Sequence, residues 1–148
     1  MSRIDEICRK HGIVLCYLFG SRQEQGKALL DGADVRPSDP ESDIDFAVLF
    51  SEPPEDAAKA YALLSLDLQD LVLPFRADLL FLHEVDHIIQ LEAIKGINVY
   101  CSGEDLRDEY EEKVMAFASD EMAIFRLNEK DMFEAIEDGY FELEYEAR

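Results

Sequence analysis

The chain is expected to fold as an α/β domain, and two patterns carry that expectation. Four short apolar stretches, at residues 13–19, 44–50, 75–82 and 96–101, have the length and β-branched content of strands. The segments between and after them place apolar residues at three- and four-residue steps, the period of a helix with one buried face. At 148 residues the chain suits a single domain spanning 1–148 and can bury a sizeable core.

Taken in order, residues 2 to 11 offer Ser2 as an N-cap, then Ile4, Ile7 and Cys8 at helical spacing and Gly12 as a stop. His11 would close this helix, where its positive form suits the dipole. Ile13 to Phe19 is continuously apolar, as expected of a strand covered on both faces. Residues 23 to 41 are polar and broken by Gly26, Gly32, Pro37 and Pro40 around a small apolar island, Ala28-Leu29-Leu30. That stretch reads as a surface insertion, tolerated because loop length adds little closure entropy. A lid or partner-binding loop is its other reading.

Residues 44 to 50 form the second strand, and Pro53-Pro54 breaks the chain. Residues 55 to 73 carry Ala57, Ala60, Tyr61, Leu64, Leu68 and Leu71 on one helical face. Residues 75 to 82 form a third strand, 85 to 94 a helix and 96 to 101 a last short strand. From 104 onward, acidic residues alternate with Leu106, Tyr110, Val114, Phe117 and further apolar positions, which predicts one or two helices with acidic outer faces.

Formal net charge is −20, so the long-range field repels nucleic acid and favours a basic protein partner. A standing polynucleotide surface is disfavoured, whereas one metal-bound nucleotide remains compatible. Cys8, Cys16 and Cys101 are odd in number and widely spaced, as in reduced core thiols, and no apolar run reaches membrane-spanning length. A soluble, cytoplasmic protein is expected. A homo-oligomer is compatible with the composition.

The chemistry concentrates in Leu18-Phe19-Gly20-Ser21-Arg22 and Ser42-Asp43-Ile44-Asp45. Strand side chains alternate faces, so Asp43 and Asp45 share one. Neighbouring carboxylates repel unless a cation lies between them, and oxygen ligands with room left for phosphate suit Mg2+. Gly20 permits a tight turn with close approach to its backbone, and Ser21 supplies a hydroxyl and an N–H near a helix start, where anions are favoured. The bland alternative makes the two aspartates a capped strand entry and Asp78, in Arg76-Ala77-Asp78-Leu79-Leu80, a strand-edge charge. Against it, an acidic residue in a segment suited to burial is costly without a metal or partner.

An apolar strand ending in Gly-Ser, an Asp-x-Asp opening the next strand and a third Asp on a later one resemble the nucleotidyltransferase superfamily of DNA polymerase beta. Over about residues 10 to 103, the core ahead of a helical 104–148 region, the chain is most similar to its minimal (MNT) branch, often encoded as the antitoxin beside a HEPN-domain toxin. The resemblance implies a small mixed sheet flanked by helices, with Asp43, Asp45 and Asp78 holding two Mg2+ ions. It also implies ATP as substrate, its phosphates gripped by Gly20 and Ser21 and steered by Arg22, and transfer of AMP to a hydroxyl, a tyrosine of the HEPN partner. One departure is the gap of 21 positions between Ser21 and Asp43, longer than is common in that branch. Two rival readings are an aminoglycoside-type nucleotidyltransferase acting on a small molecule and a non-catalytic antitoxin that masks its partner by contact.

Two other features draw attention. His83-Glu84-Val85-Asp86-His87 fits the His-Glu-x-x-His zinc pattern, but a helix beginning near Asp86 would not carry both histidines on one turn. Tyr140 and Tyr145 offer acceptor hydroxyls for self-modification, although aromatic residues at helical spacing more often pack.

Overall fold

In the computed structural model, which describes residues 1–37, 39 and 42–137 (backbone alone for 125 and 128–137), five helices surround a four-stranded mixed sheet. The order along the chain is α1 (Arg3–Lys10), β1 (Ile13–Phe19), α2 (Gln23–Leu30), β2 (Asp43–Phe50), α3 (Ala57–Val72), β3 (Arg76–Phe81), α4 (His87–Ile94), β4 (Ile97–Cys101) and α5 (Glu104–Glu137). The strands lie in the order β3-β2-β1-β4, with β2 and β3 parallel and the other pairs antiparallel.

Local signals set the ends of these elements. Ser2 caps α1 through a reciprocal capping box with Asp5, and Gly12 leaves it at φ +70°. Asp56 and Asp86 cap α3 and α4 by accepting from Lys59 N–H and Ile89 N–H. Gln69 on α3 reaches the next strand, donating to the Phe75 carbonyl and accepting from the Ala77 amide.

Alternation on the strands builds two cores, one on each face. Ile44, Phe46, Val48 and Phe50 join Ile4, Cys8, Leu18, Leu64, Leu68 and Val72 beneath α1 and α3. On the opposite face Leu15, Tyr17, Ala47, Leu82 and Ala93 form a smaller cluster, against which Tyr110 of α5 packs. Tyr110 donates to Gln90 at 2.7 Å and Tyr17 to Glu111 at 3.3 Å, which ties α4 and the first turns of α5 to the sheet. Helices therefore cover both faces of the sheet.

The stretch 23–41 is not simply a surface insertion. Its first eight residues form α2, and Leu29 and Leu30 pack against the larger core. Gly26 makes this docking close: a Cβ there would lie 2.8 Å from Ile44 Cγ2 and 3.2 Å from Leu18 Cδ1. The glycine that interrupts the helical pattern in sequence is the one that seats the helix on the sheet.

The C-terminal segment is a single helix as far as Glu137, and Tyr140 and Tyr145 lie outside the described residues. Among the described residues no helix is long and apolar enough to cross a membrane. All three cysteines carry free thiols, Cys8 and Cys16 in the buried core.

One tertiary ion pair has a defined pH dependence. Asp67 on α3 receives His11 Nε2 at 2.6 Å and Lys10 Nζ at 2.9 Å, and these bonds hold its carboxyl below the ordinary carboxylate range. A depressed folded-state pKa means the stabilisation is complete above the ordinary carboxylate value and fades as pH falls through the lower, folded one. Asp67→Asn is expected to cost on the order of 1 kcal/mol at pH 7 and almost nothing near pH 2. Urea midpoints of both proteins from pH 7 to pH 2 check it, and a pH-independent difference would contradict it.

Candidate active site

At its end β1 hands the chain to Gly20, which turns at φ +79° into α2. That conformation favours glycine, and space demands it as well: a Cβ would sit 2.5 Å from Asp45 Oδ2. The bend is thus built against the carboxylate of the next strand. Beyond it Ser21 is exposed and Arg22 half-buried, and Gln23 donates to the Gly20 carbonyl at 3.3 Å. The first intrahelical bond of α2 runs from Gly26 N–H to the Arg22 carbonyl. Helix geometry therefore leaves the amides before it directed outward at the N-terminal end. An open cleft of about 510 Å³ lies here, lined by residues Gly20, Ser21, Arg22, Gln23, Glu24 and Gln25.

The sheet register gathers the acidic residues. Asp45 of β2 stands opposite Phe19 on β1 and Asp78 on β3, and Asp43 stands opposite Arg76. Because β2 and β3 run parallel in register, spacing two on both strands places Asp43, Asp45, Arg76 and Asp78 on one face. Burial first, then the charges of Asp78 and Asp43 and a hydrogen bond with Asp78, push the Asp45 carboxyl up from 3.8 to about 6, while Arg22 pulls it the other way. Asp78 is thus the register partner whose charge bears most on Asp45, after burial.

Asp78 departs from expectation in one respect, being exposed rather than buried. It lies on a strand at the margin of the described sheet, and its Oδ1 accepts from the Leu79 amide at 3.0 Å. Its significance for the site therefore comes from facing Asp45. Asp43 is turned toward Arg76, whose Nε lies 3.0 Å from Asp43 Oδ1. Among the described residues, accordingly, no three acidic, histidine or cysteine side chains already stand in ligating geometry.

The donor set nonetheless fits a divalent cation. Three carboxylates open on one sheet face, the central one raised by burial and then by its neighbours, and the glycine bend leaves no Cβ over it. Oxygen-only ligands beside free helix amides suit a hard metal that carries phosphate.

The two histidines of the zinc-like pattern lie in different elements with different partners. His83 lies in a 3-10 turn at Leu82–Glu84, its ring stacked on Phe81. His87 opens α4, stacks on Phe117 and meets Glu121 of α5 through Nδ1 at 2.6 Å. Arg76, put on the same face as Asp78 by its spacing of two, was not among the candidate site residues, and its pairing with Asp43 is seen only in the fold.

A family model described as polymerase beta, nucleotidyltransferase, matches residues 2–105. No curated protein matches the chain. Among solved structures, a mutant of the toxin-antitoxin MntA-HpeT is similar at a TM-score of 0.53 and 20% identity, over 94% of this chain and 97% of that one. A toxin-antitoxin with AMP-PNP gives 0.52 and 21% over 94% and 97%. A tri-AMPylated Shewanella oneidensis HEPN toxin in complex with an MNT antitoxin gives 0.50 and 20% over 94% of each chain. At such identities the likeness establishes a shared fold.

Proposed function

The chain belongs to the polymerase beta nucleotidyltransferase family, and from that membership we propose that it transfers AMP from ATP to a tyrosine hydroxyl of a HEPN-domain toxin and so neutralises it. The observation that carries this reading is the in-register pairing of Asp45 with Asp78 directly beside the Gly20 bend. Solved relatives of the same fold include a toxin-antitoxin with AMP-PNP and a tri-AMPylated HEPN toxin bound to an MNT antitoxin, which supports both the donor and the partner. The charge of −20 suits a basic protein surface as acceptor and disfavours a nucleic-acid one.

In this reading Asp43, Asp45 and Asp78 would hold Mg2+, as two ions. The metal would supply charge neutralisation for an in-line displacement. Gly20 lets the phosphates approach the backbone, Ser21 and the first amides of α2 donate to their oxygens, and Arg22 adds a local positive charge beside Asp45. Asp78, which is exposed and opposite Asp45, would accept the proton of an incoming hydroxyl. The protein would work in the cytoplasm beside its partner.

The test is incubation with labelled ATP and Mg2+, with and without a candidate HEPN-domain partner. Label transferred to the partner and abolished by EDTA is expected. Neutralisation without any transfer would leave masking by contact as the function, and label on an aminoglycoside but not on protein would assign a small-molecule acceptor.

A further inference from the structure

We propose that Arg76 is a placeholder for the metal: its guanidinium competes with a divalent ion for the Asp43 carboxylate and sets the threshold at which the acidic face accepts a cation. The inference rests on the reading of Asp43, Asp45 and Asp78 as metal-holding carboxylates.

Arg76 and Asp43 are register partners on parallel strands, and the bond between them joins Nε to Oδ1 at 3.0 Å. The position of the arginine is fixed by its backbone, whose N–H donates to the Ser42 carbonyl at 3.1 Å as β3 begins to pair with β2. Spacing two then carries the side chain to the face that holds Asp45 and Asp78. Arg76 and the three aspartates thus share one face of the sheet.

The geometry makes the contact a competitor and not a cofactor. A guanidinium has no lone pair to offer a metal, and it repels a cation bound to the same oxygens. Asp43 cannot present Oδ1 to an ion and to Arg76 at once without cost. The pair is also made to be released, because its side chains are 62% and 39% exposed and water screens their attraction. A buried arginine would lock the clamp, whereas this one only raises the concentration of metal needed to open it. Its presence also offsets one of three like charges on that face, which limits their mutual repulsion.

The experiment measures Mn2+ binding to the full chain, without nucleotide, by calorimetry and by the paramagnetic signal of the free ion. Arg76→Gln is expected to tighten the apparent Kd about two- to five-fold, the range of an exposed ion pair. Arg76→Lys, which keeps the charge, should stay near wild type. Lys27→Gln removes the same charge from α2, where it pairs with Asp31 at 2.7 Å, and should leave Mn2+ affinity unchanged. Circular dichroism and urea midpoints verify that each variant is folded.

An unchanged or weakened Kd in Arg76→Gln overturns the proposal, as does equal tightening in Lys27→Gln, which would reveal a general field effect. In both of those results wild-type binding that is lost in Asp45→Asn leaves the metal reading standing. Absence of Mn2+ binding in every protein, wild type included, overturns the metal reading and this inference together.

Discussion

Asp45→Asn is expected to lower nucleotidyl transfer on the order of a thousand-fold while making the chain more stable at neutral pH. The loss follows from position: Asp45 is the middle carboxylate, facing Asp78 across β3 and touching the Gly20 bend. Removing one oxygen charge there would weaken the hold on the proposed metal, which would supply several kcal/mol of charge stabilisation, and each 1.36 kcal/mol is tenfold in rate. The gain in stability has the opposite origin. Burial and the charges of Asp78 and Asp43 raise its carboxyl from 3.8 to about 6, so the folded chain holds this proton more tightly than the unfolded chain does.

The sign follows from linkage. Stability associated with this group is greatest below 3.8 and is lost as pH rises to about 6, above which the ionised carboxylate exerts its full penalty. Asparagine escapes that penalty, so the variant should gain on the order of 1–2 kcal/mol above pH 6, after allowance for solvent screening, and little near pH 4. Saturating Mg2+ should narrow the gap by stabilising the wild type alone. Transfer assays and urea midpoints at pH 4, 6 and 8, with and without Mg2+, check both halves. Wild-type transfer rates in the variant would remove Asp45 from the site.

Gly96→Ala is expected to destabilise the chain by about 3 kcal/mol, the upper end for overpacking, although it adds a single methyl group. Gly96 lies in the turn between α4 and β4, and a Cβ there would collide with the carbonyl oxygen of Leu18, with the Leu18 carbonyl carbon and Phe19 Cα both at 3.0 Å. Every obstacle is backbone, so no rotamer change relieves the contact. The strands must separate where Ile97 pairs with Leu18. A fall in thermal midpoint of roughly 6–12 °C is expected for a domain of this size. Transfer should decline as well, because the displaced residues lead directly into Gly20 and Ser21. A midpoint within a degree or two of wild type would show that the turn can move aside.

Much of the frame was legible because it depends on local signals. Ser2 and Gly12 mark the two ends of α1 through bonds made within three residues. The apolar run of β1 announced burial on both faces, which the two cores bear out. The stretch 23–41 was harder to read because the pattern of α2 is short and contains Gly26, a weak helix former whose benefit exists only against Ile44 and Leu18. The exposure of Asp78 was misjudged for a related reason: an apolar flank predicts burial only where a neighbouring layer covers it, and β3 lies at the margin of the described sheet.

By itself the sequence determined the α/β class, the strand-Gly-Ser bend and the shared face of Asp43 and Asp45, since caps, periodicity and side-chain alternation act over a few residues. Only the tertiary structure decided that β2 and β3 lie parallel in register, that Asp45 therefore meets Asp78 while Arg76 takes Asp43, and that the backbone at Gly96 presses on Leu18. Those outcomes are contacts between residues tens of positions apart. Strand order and register fix them, and no short window of sequence contains either one.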